Sequence, residues 1–156
     1  KKKKNRNFQG YSTHKDCDLL AFGVSAINAL GNSHFQNHKD EASYARAIEA
    51  GQLPLAKRIS LSNDDLLRKA VINELICNFG LDYAAIETQF GIDFQDYFAP
   101  EMARLPALAR DGLIALDAGG IRVMPAGRLL VRRLCMEFDA YIDHSKLSGN
   151  RFSRII

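Results

Sequence analysis

Cysteine is scarce: Cys17, Cys77 and Cys135 are all that a chain of 156 residues contains. An odd number at wide spacing argues against a disulfide framework and fits thiols kept reduced. No two of them have the CxxC spacing of a redox or metal motif. Long apolar runs are also missing, and none approaches the ~18–20 residues that cross a bilayer. The Lys1–Lys4 start has no apolar stretch behind it, which argues against a secretory signal and for a cytoplasmic protein. Acid is absent from residues 1–15, which hold six basic side chains, while the rest of the chain carries 15 basic against 18 acidic. The net charge of +3 therefore comes from one end, and the body is mildly acidic. A basic end suits a nucleic acid, a membrane surface, an anionic ligand or plain solvation. With 47% hydrophobic and 25% charged residues, the composition excludes a disordered or collagen-like chain. The length is enough for one domain, or for one domain and a piece of another.

Two zones differ in texture. Residues 1–58 are rich in Gly, Ser and Asn and read as short strands and loops. A strand ending in a turn is expected over residues 7–13. Leu19 to Ile27 is a nearly continuous apolar run, expected as a strand buried on both faces, as in a parallel sheet. The polar stretch from Asn28 to Asn37 reads as a loop, and Asp40 to Ala50 as a helix with Gly51 as its C-cap. Two strands and a helix cannot close an α/β domain, so this zone reads as the last piece of a larger one. The second zone is helical. Ser62 caps a helix running to about Phe79, where Gly80 ends it; a short helix follows over residues 83–90, ended by Gly91. Another helix is expected over 94–110, interrupted at Pro100 and Pro106. Residues 113–123 alternate around Asp117-Ala118-Gly119-Gly120 as a hairpin. Pro125 opens a final helix carrying Leu130, Leu134, Phe138, Tyr141 and Ile142 as its apolar stripe. The order of elements is winged-helix-like.

Few residues present themselves as chemistry. His34 and His38 stand four apart, but Gly31, Asn32 and Asn37 make their stretch a loop, and no third ligand has a motif spacing, so no metal site is expected. Cys77 and Cys135 have apolar helical neighbours and read as core. Cys17 stands between Asp16 and Asp18, whose charge disfavours a thiolate. Arg128, Arg132 and Arg133 form a cationic patch on the final helix, with Arg132 one turn from Arg128. The patch is either a solvated face or an anion clamp for carboxylate or phosphate. A DNA-binding winged helix is a rival reading. Residues 82–111, which would present the recognition helix, carry six acids against Arg104 and Arg110. Such a surface repels a duplex, so no nucleic-acid partner is expected.

Arg6-Asn7-Phe8-Gln9-Gly10-Tyr11, then Gly23-Val24-Ser25-Ala26-Ile27, then Gln36-Asn37, resemble the late part of oxygen-independent coproporphyrinogen III oxidases (dehydrogenases), radical S-adenosylmethionine enzymes. Ile76-Cys77-Asn78-Phe79, Leu81-Asp82-Tyr83, Asp111-Gly112-Leu113, Gly127-Arg128-Leu129-Leu130 and Phe152-Ser153-Arg154 continue the resemblance, in order, over nearly the whole chain. Related heme chaperone-like proteins share the architecture, while the Arg-Asn-Phe-Gln-Gly-Tyr stretch and the Phe-Ser-Arg end favour the oxidase.

The resemblance implies an α+β fragment: residues 1–58 as the last strands and helix of a partial α/β (TIM-like) barrel, and 59–156 as a mostly helical, winged-helix-like domain closing over it. It implies a parent enzyme of heme biosynthesis that converts two propionates of coproporphyrinogen III to vinyls, giving protoporphyrinogen IX. A [4Fe-4S] cluster on a CxxxCxxC motif reductively cleaves S-adenosylmethionine, the resulting radical takes a propionate hydrogen, CO2 leaves, and an acceptor takes the last electron. It implies an electron donor and an acceptor as partners, no membrane span and a monomeric parent. Gln9 and Ile27 carry over as cofactor-contacting positions, with Phe8 and Tyr11 as weaker candidates. Arg128, Arg132 and Arg133 are weak candidates for the substrate. The chain has no CxxxCxxC, so cluster ligands and catalytic residues are expected elsewhere in the parent, and this piece is expected to supply cavity wall and lid.

Overall fold

A computed structural model describes residues 5–7, 10–12 and 17–143. The chain divides into two compact units, Lys1–Asn73 and Glu74–Ile156.

In the first unit, β1 (Asn5–Asn7) and β2 (Gly10–Ser12) pair antiparallel, with Arg6 opposite Tyr11. A second sheet follows: β3 (Ile27–Leu30), β4 (Ser33–Asn37) and β5 (Leu55–Ser60), antiparallel in the order β3-β4-β5. This corrects two expectations. The apolar run from Leu19 is not a strand buried on both faces. Leu19 makes a single bridge to Ala29, residues 20–26 form a loop, and the strand begins only at Ile27. Gly23 at φ 101 and Ser25 at φ 62 leave the extended region, so the strand cannot start earlier. The polar stretch from Asn28 to Asn37 is not a loop but the β3–β4 hairpin. It turns through Gly31 (φ 54) and Asn32, the positive φ that a two-residue hairpin asks for.

Helix α1 (Glu41–Glu49) lies between β4 and β5 in sequence. Asp40 caps it by accepting from the Ser43 N–H at 2.8 Å, and Gly51 (φ 68) follows its end, as the sequence predicts. Neither this sheet nor α1 buries a large apolar side chain. The buried residues of β3 and β4 are Asn28, Ser33 and Asn37, α1 buries none, and β5 is exposed throughout.

Helix α2 (Asn63–Asn78) crosses the division between the units. Ser62 and Asp65 cap it reciprocally: the Ser62 N–H donates to Asp65 Oδ2 at 2.8 Å and the Asp65 N–H to Ser62 Oγ at 3.1 Å. The helix ends where the sequence suggests, but the left-handed residue is Phe79 (φ 57), not Gly80. Gly80 instead opens β6 (Gly80–Asp82), a strand that sequence reading missed.

The second unit holds β6, α3 (Tyr83–Phe90), α4 (Phe94–Tyr97), α5 (Ala99–Arg110), β7 (Ile114–Asp117), β8 (Gly120–Val123) and α6 (Val131–Glu137). Its sheet has the order β6-β8-β7, antiparallel, with the expected hairpin as β7–β8. Asp82 caps α3 and Asp93 caps α4, each accepting from the N–H three residues on. The region from Phe94 to Arg110 is two helices. The break falls at Phe98 rather than at a proline, because Pro100 sits in the first turn of α5, where its missing N–H costs nothing, and α5 runs on through Pro106. The expected final helix over 125–142 is also broken. A 3-10 turn, Ala126–Arg128, comes first, Leu130 (φ −106, ψ 13) is not helical, and α6 ends at Glu137, so Tyr141 lies beyond it, exposed.

This unit has a proper core. Tyr83 stacks on Phe94 with centroids 4.4 Å apart, Phe98 lies 4.8 Å from Phe94, and Phe138 meets Phe98 edge-on at 5.4 Å. Leu75, Leu81, Leu105, Ile114, Ile121 and Leu134 are buried as well. Burial, with Asp117 nearby, pushes the Tyr83 hydroxyl up to about 12.

Candidate functional site

Ile27 is the one leading cofactor-contact candidate whose surroundings can be described. It is the first residue of β3, half-buried, opposite Gln36. Its approach is fixed by the loop before it. Asn28 Oδ1 accepts from the Ala21 N–H at 2.8 Å, and Asn37 Nδ2 donates to the Gly23 carbonyl at 2.9 Å. The Gly23 N–H reaches Tyr44 Oη at 3.2 Å, and the Ser25 N–H the His38 carbonyl at 2.8 Å. The buried asparagines, 8% and 4% exposed, thus find partners on the loop backbone, as buried amides require. Gln9 and Phe8 lie outside the described residues, and Tyr11 is described only by its backbone in β2.

The three arginines do not share one helix, because Arg128 is in the 3-10 turn and Arg132 and Arg133 are in α6. The expectation of one common face needed an unbroken helix, and Leu130 breaks it. The Arg128 guanidinium stands 5.1 Å over the Phe79 ring, a cation–π contact. Arg132 is exposed. Arg133 is committed elsewhere: it pairs with Glu137, which is only 3% exposed. Arg104 Nε also donates to Glu137 Oε2 at 2.6 Å, and its Nη2 to the Glu137 carbonyl at 2.7 Å. Two cations thus neutralise one buried carboxylate and tie α5 to α6. Arg104, 33 residues from Glu137, had no sequence signal in any local spacing.

The residues fit no iron–sulfur cluster. Cys77 and Cys135 are buried and Cys17 is exposed. Burial, with Cys77 nearby, pushes the Cys135 thiol up to about 12, the reverse of what a thiolate ligand needs. Among the described residues no three His, Cys, Asp or Glu side chains group to hold a metal. His34 lies on β4 and His38 directly after it. Four residues of strand separate side chains by about 13 Å, so the pair lacks the spacing of one helical turn. Burial, then the Lys69 charge, lower the His34 pKa. No described helix is long and apolar enough to cross a membrane.

Comparison with known proteins gives a class first. Residues 61–130 match the HemN C-terminal domain. The particular relatives follow. The chain is 49% identical over 151 residues to the oxygen-independent coproporphyrinogen III oxidase of Pseudomonas aeruginosa, covering 97% of this chain and 32% of that protein. It is 47% identical over 152 residues to the Escherichia coli enzyme of the same name, with 97% and 33% covered. The solved structure of Escherichia coli coproporphyrinogen III oxidase, described as a radical SAM enzyme, matches with a TM-score of 0.86 at 47% identity, covering 89% of this chain and 32% of that one. The resemblance read from the sequence is borne out, and the mixed α/β architecture with it. The chain spans about a third of the length of these relatives.

Proposed function

We propose that this chain is the C-terminal part of an enzyme of anaerobic heme synthesis that oxidatively decarboxylates two propionates of coproporphyrinogen III to vinyls, giving protoporphyrinogen IX. The observation that carries this reading is the 49% identity, spread over 97% of the chain, to a protein named for that substrate. A physical observation agrees. A sheet and helix whose buried side chains are asparagine and serine gain little from hydrophobic burial, so they need a larger body to rest on. Residues 1–58 then continue a partial α/β barrel as an antiparallel extension. Residues 59–156 form a winged-helix-like lid, with β7–β8 as its wing.

In this reading the S-adenosylmethionine and the [4Fe-4S] cluster supply a radical when bound, and the cluster ligands come from outside this chain. Gln9 and Ile27 hold the S-adenosylmethionine. The amide offers donors and acceptors to its polar end, and the isoleucine packs against an apolar part without competing for hydrogen bonds. Phe8 and Tyr11 are the weaker candidates for the same contact. Arg132, and Arg128 from its place over the Phe79 ring, meet substrate carboxylates, whereas Arg133 is engaged by Glu137. The electron donor and acceptor are separate partners, the parent is a cytoplasmic monomer, and nucleic acid has no part. The test is made in the full-length protein. Gln9→Ala and Ile27→Ser reduce S-adenosylmethionine use at an unchanged thermal midpoint. Loss of stability in step with activity makes both residues structural and ends the assignment.

A further inference from the structure

Phe79 holds a conformation that a phenylalanine avoids, with φ 57 in the left-handed region. Helices commonly end in that conformation, but on a glycine. A glycine is at hand. Gly80 follows directly, and a Cβ added there would meet nothing closer than the Ile121 carbonyl oxygen at 3.7 Å. The backbone fixes Phe79 on both sides: its N–H donates to the Leu75 carbonyl at 3.1 Å, and its carbonyl accepts from the Val123 N–H at 2.9 Å. The ring then lies under the Arg128 guanidinium, its centroid 5.1 Å away. Arg128 is seated as firmly, in the 3-10 turn where the Met124 N–H donates to the Leu113 carbonyl at 2.9 Å and the Leu130 N–H to the Gly127 carbonyl at 3.0 Å. Among the described residues its guanidinium has no carboxylate and no hydrogen-bond acceptor. An aromatic ring holds a guanidinium through its π face and offers no acceptor to the N–H groups, so the fork that pairs with a carboxylate stays open.

Resting on the functional reading above, we propose that Phe79 is a positioning residue for the substrate: its strained backbone places the ring that holds Arg128 ready to take one carboxylate of the tetrapyrrole. The strain decides between a ligand and a resident partner. Strained backbone persists where function requires it. An acidic side chain elsewhere in the parent would pair with Arg128 once, on folding. It would gain little from a guanidinium fixed beforehand, and an exposed ion pair is worth too little to offset the strain. A ligand that comes and goes meets the entropy of ordering the cation at every binding event, and a guanidinium already in place removes that cost. The donor set names the ligand's chemistry. One planar fork of N–H groups matches the two oxygens of a carboxylate, which the substrate of that reading presents on its propionates.

The experiment uses the full-length protein and the stable, fluorescent porphyrin coproporphyrin III as the binding probe, beside S-adenosylmethionine binding and thermal melting. Arg128→Met is expected to weaken coproporphyrin III binding about tenfold, as the loss of a charged hydrogen-bond pair does. Phe79→Leu keeps an apolar side chain, removes the π face and weakens binding about threefold, while Phe79→Tyr restores it. Phe79→Leu added to Arg128→Met brings no further loss, because Phe79 acts through Arg128. S-adenosylmethionine affinity, and the melting midpoint of Arg128→Met, stay as in the unmodified protein. Unchanged porphyrin affinity in Arg128→Met or in Phe79→Leu overturns the proposal. A further loss in the double variant overturns it too, and makes Phe79 a packing residue. So does a lowered midpoint in Arg128→Met, because a carboxylate of the parent then holds the cation. An unmodified protein that neither binds coproporphyrin III nor converts coproporphyrinogen III overturns the functional reading itself, and the role of Phe79 with it.

Discussion

Gly127 is where a single methyl group does the most damage. A Cβ built there would stand 2.0 Å from the Leu113 carbonyl oxygen, 2.8 Å from its carbonyl carbon and 3.1 Å from its Cα. All three are backbone atoms, so no side chain can swing aside. Restoring ordinary contact requires the 3-10 turn and the start of the β7–β8 hairpin to part by over ~1 Å. That movement pulls on the Met124 N–H to Leu113 carbonyl bond (2.9 Å), which fastens the two segments. Overpacking at its upper end plus one weakened hydrogen bond gives about 3–4 kcal/mol for Gly127→Ala. For a chain of this size that lowers the melting midpoint by on the order of 10 °C. Two controls calibrate the result. At Gly119 the nearest atom to an added Cβ is Asp117 Oδ1 at 3.7 Å, so Gly119→Ala changes stability by less than ~0.5 kcal/mol. At Gly91 there is open space but φ is 68, so Gly91→Ala costs about 1–2 kcal/mol of backbone strain alone. Circular dichroism melts of the three variants rank them. A Gly127→Ala protein melting within ~2 °C of the parent refutes the close approach.

Arg104→Met takes one cation away from the Glu137 carboxylate, 3% exposed; with Arg104 itself 35% exposed, the cost is discounted to about 2 kcal/mol, readable as a lower urea midpoint. In the native protein iodoacetamide at pH 8 labels Cys17 and spares Cys77 and Cys135, all three reacting in guanidinium; mass spectrometry finding a second native label contradicts the burial described for them. His34 is held below its ordinary value of 6.5, so the folded state favours the neutral ring. Its contribution is present above pH 6.5 and lost as pH falls from there through the folded value, and His34→Gln should flatten that part of the stability–pH curve.

The sequence was most legible where local chemistry decides structure. Ser62 caps a helix, Gly91 ends one, and alternation around Asp117-Ala118-Gly119-Gly120 makes a hairpin. It misled where a pattern has two physical origins. The apolar run from Leu19 to Ile27 looked like two-sided burial, but an exposed apolar loop writes the same letters. The Gly31-Asn32 pair was a readable hairpin signal, masked by the polarity of its flanks: the amides of Asn28 and Asn37 point to the loop backbone, not to solvent. The break at Leu130 has no local mark. It follows from the tight seat of Gly127 against Leu113, which only the tertiary fold reveals. The Arg133–Glu137 pair, by contrast, is an i,i+4 spacing that the sequence already displays, and reading Arg133 as part of a cationic patch overlooked it. Of the site, Ile27 opens β3 instead of ending a strand, because the run expected as that strand is a loop.

The central claim is that this chain belongs to a protein that makes vinyl groups from propionates. Anoxic incubation of the full-length protein with coproporphyrinogen III, S-adenosylmethionine and a reductant, followed by chromatography of the oxidised porphyrins, tests it directly. The account predicts protoporphyrin, with two CO2 released for each molecule formed. Cleavage of S-adenosylmethionine with the four-carboxylate porphyrin recovered unchanged would contradict it.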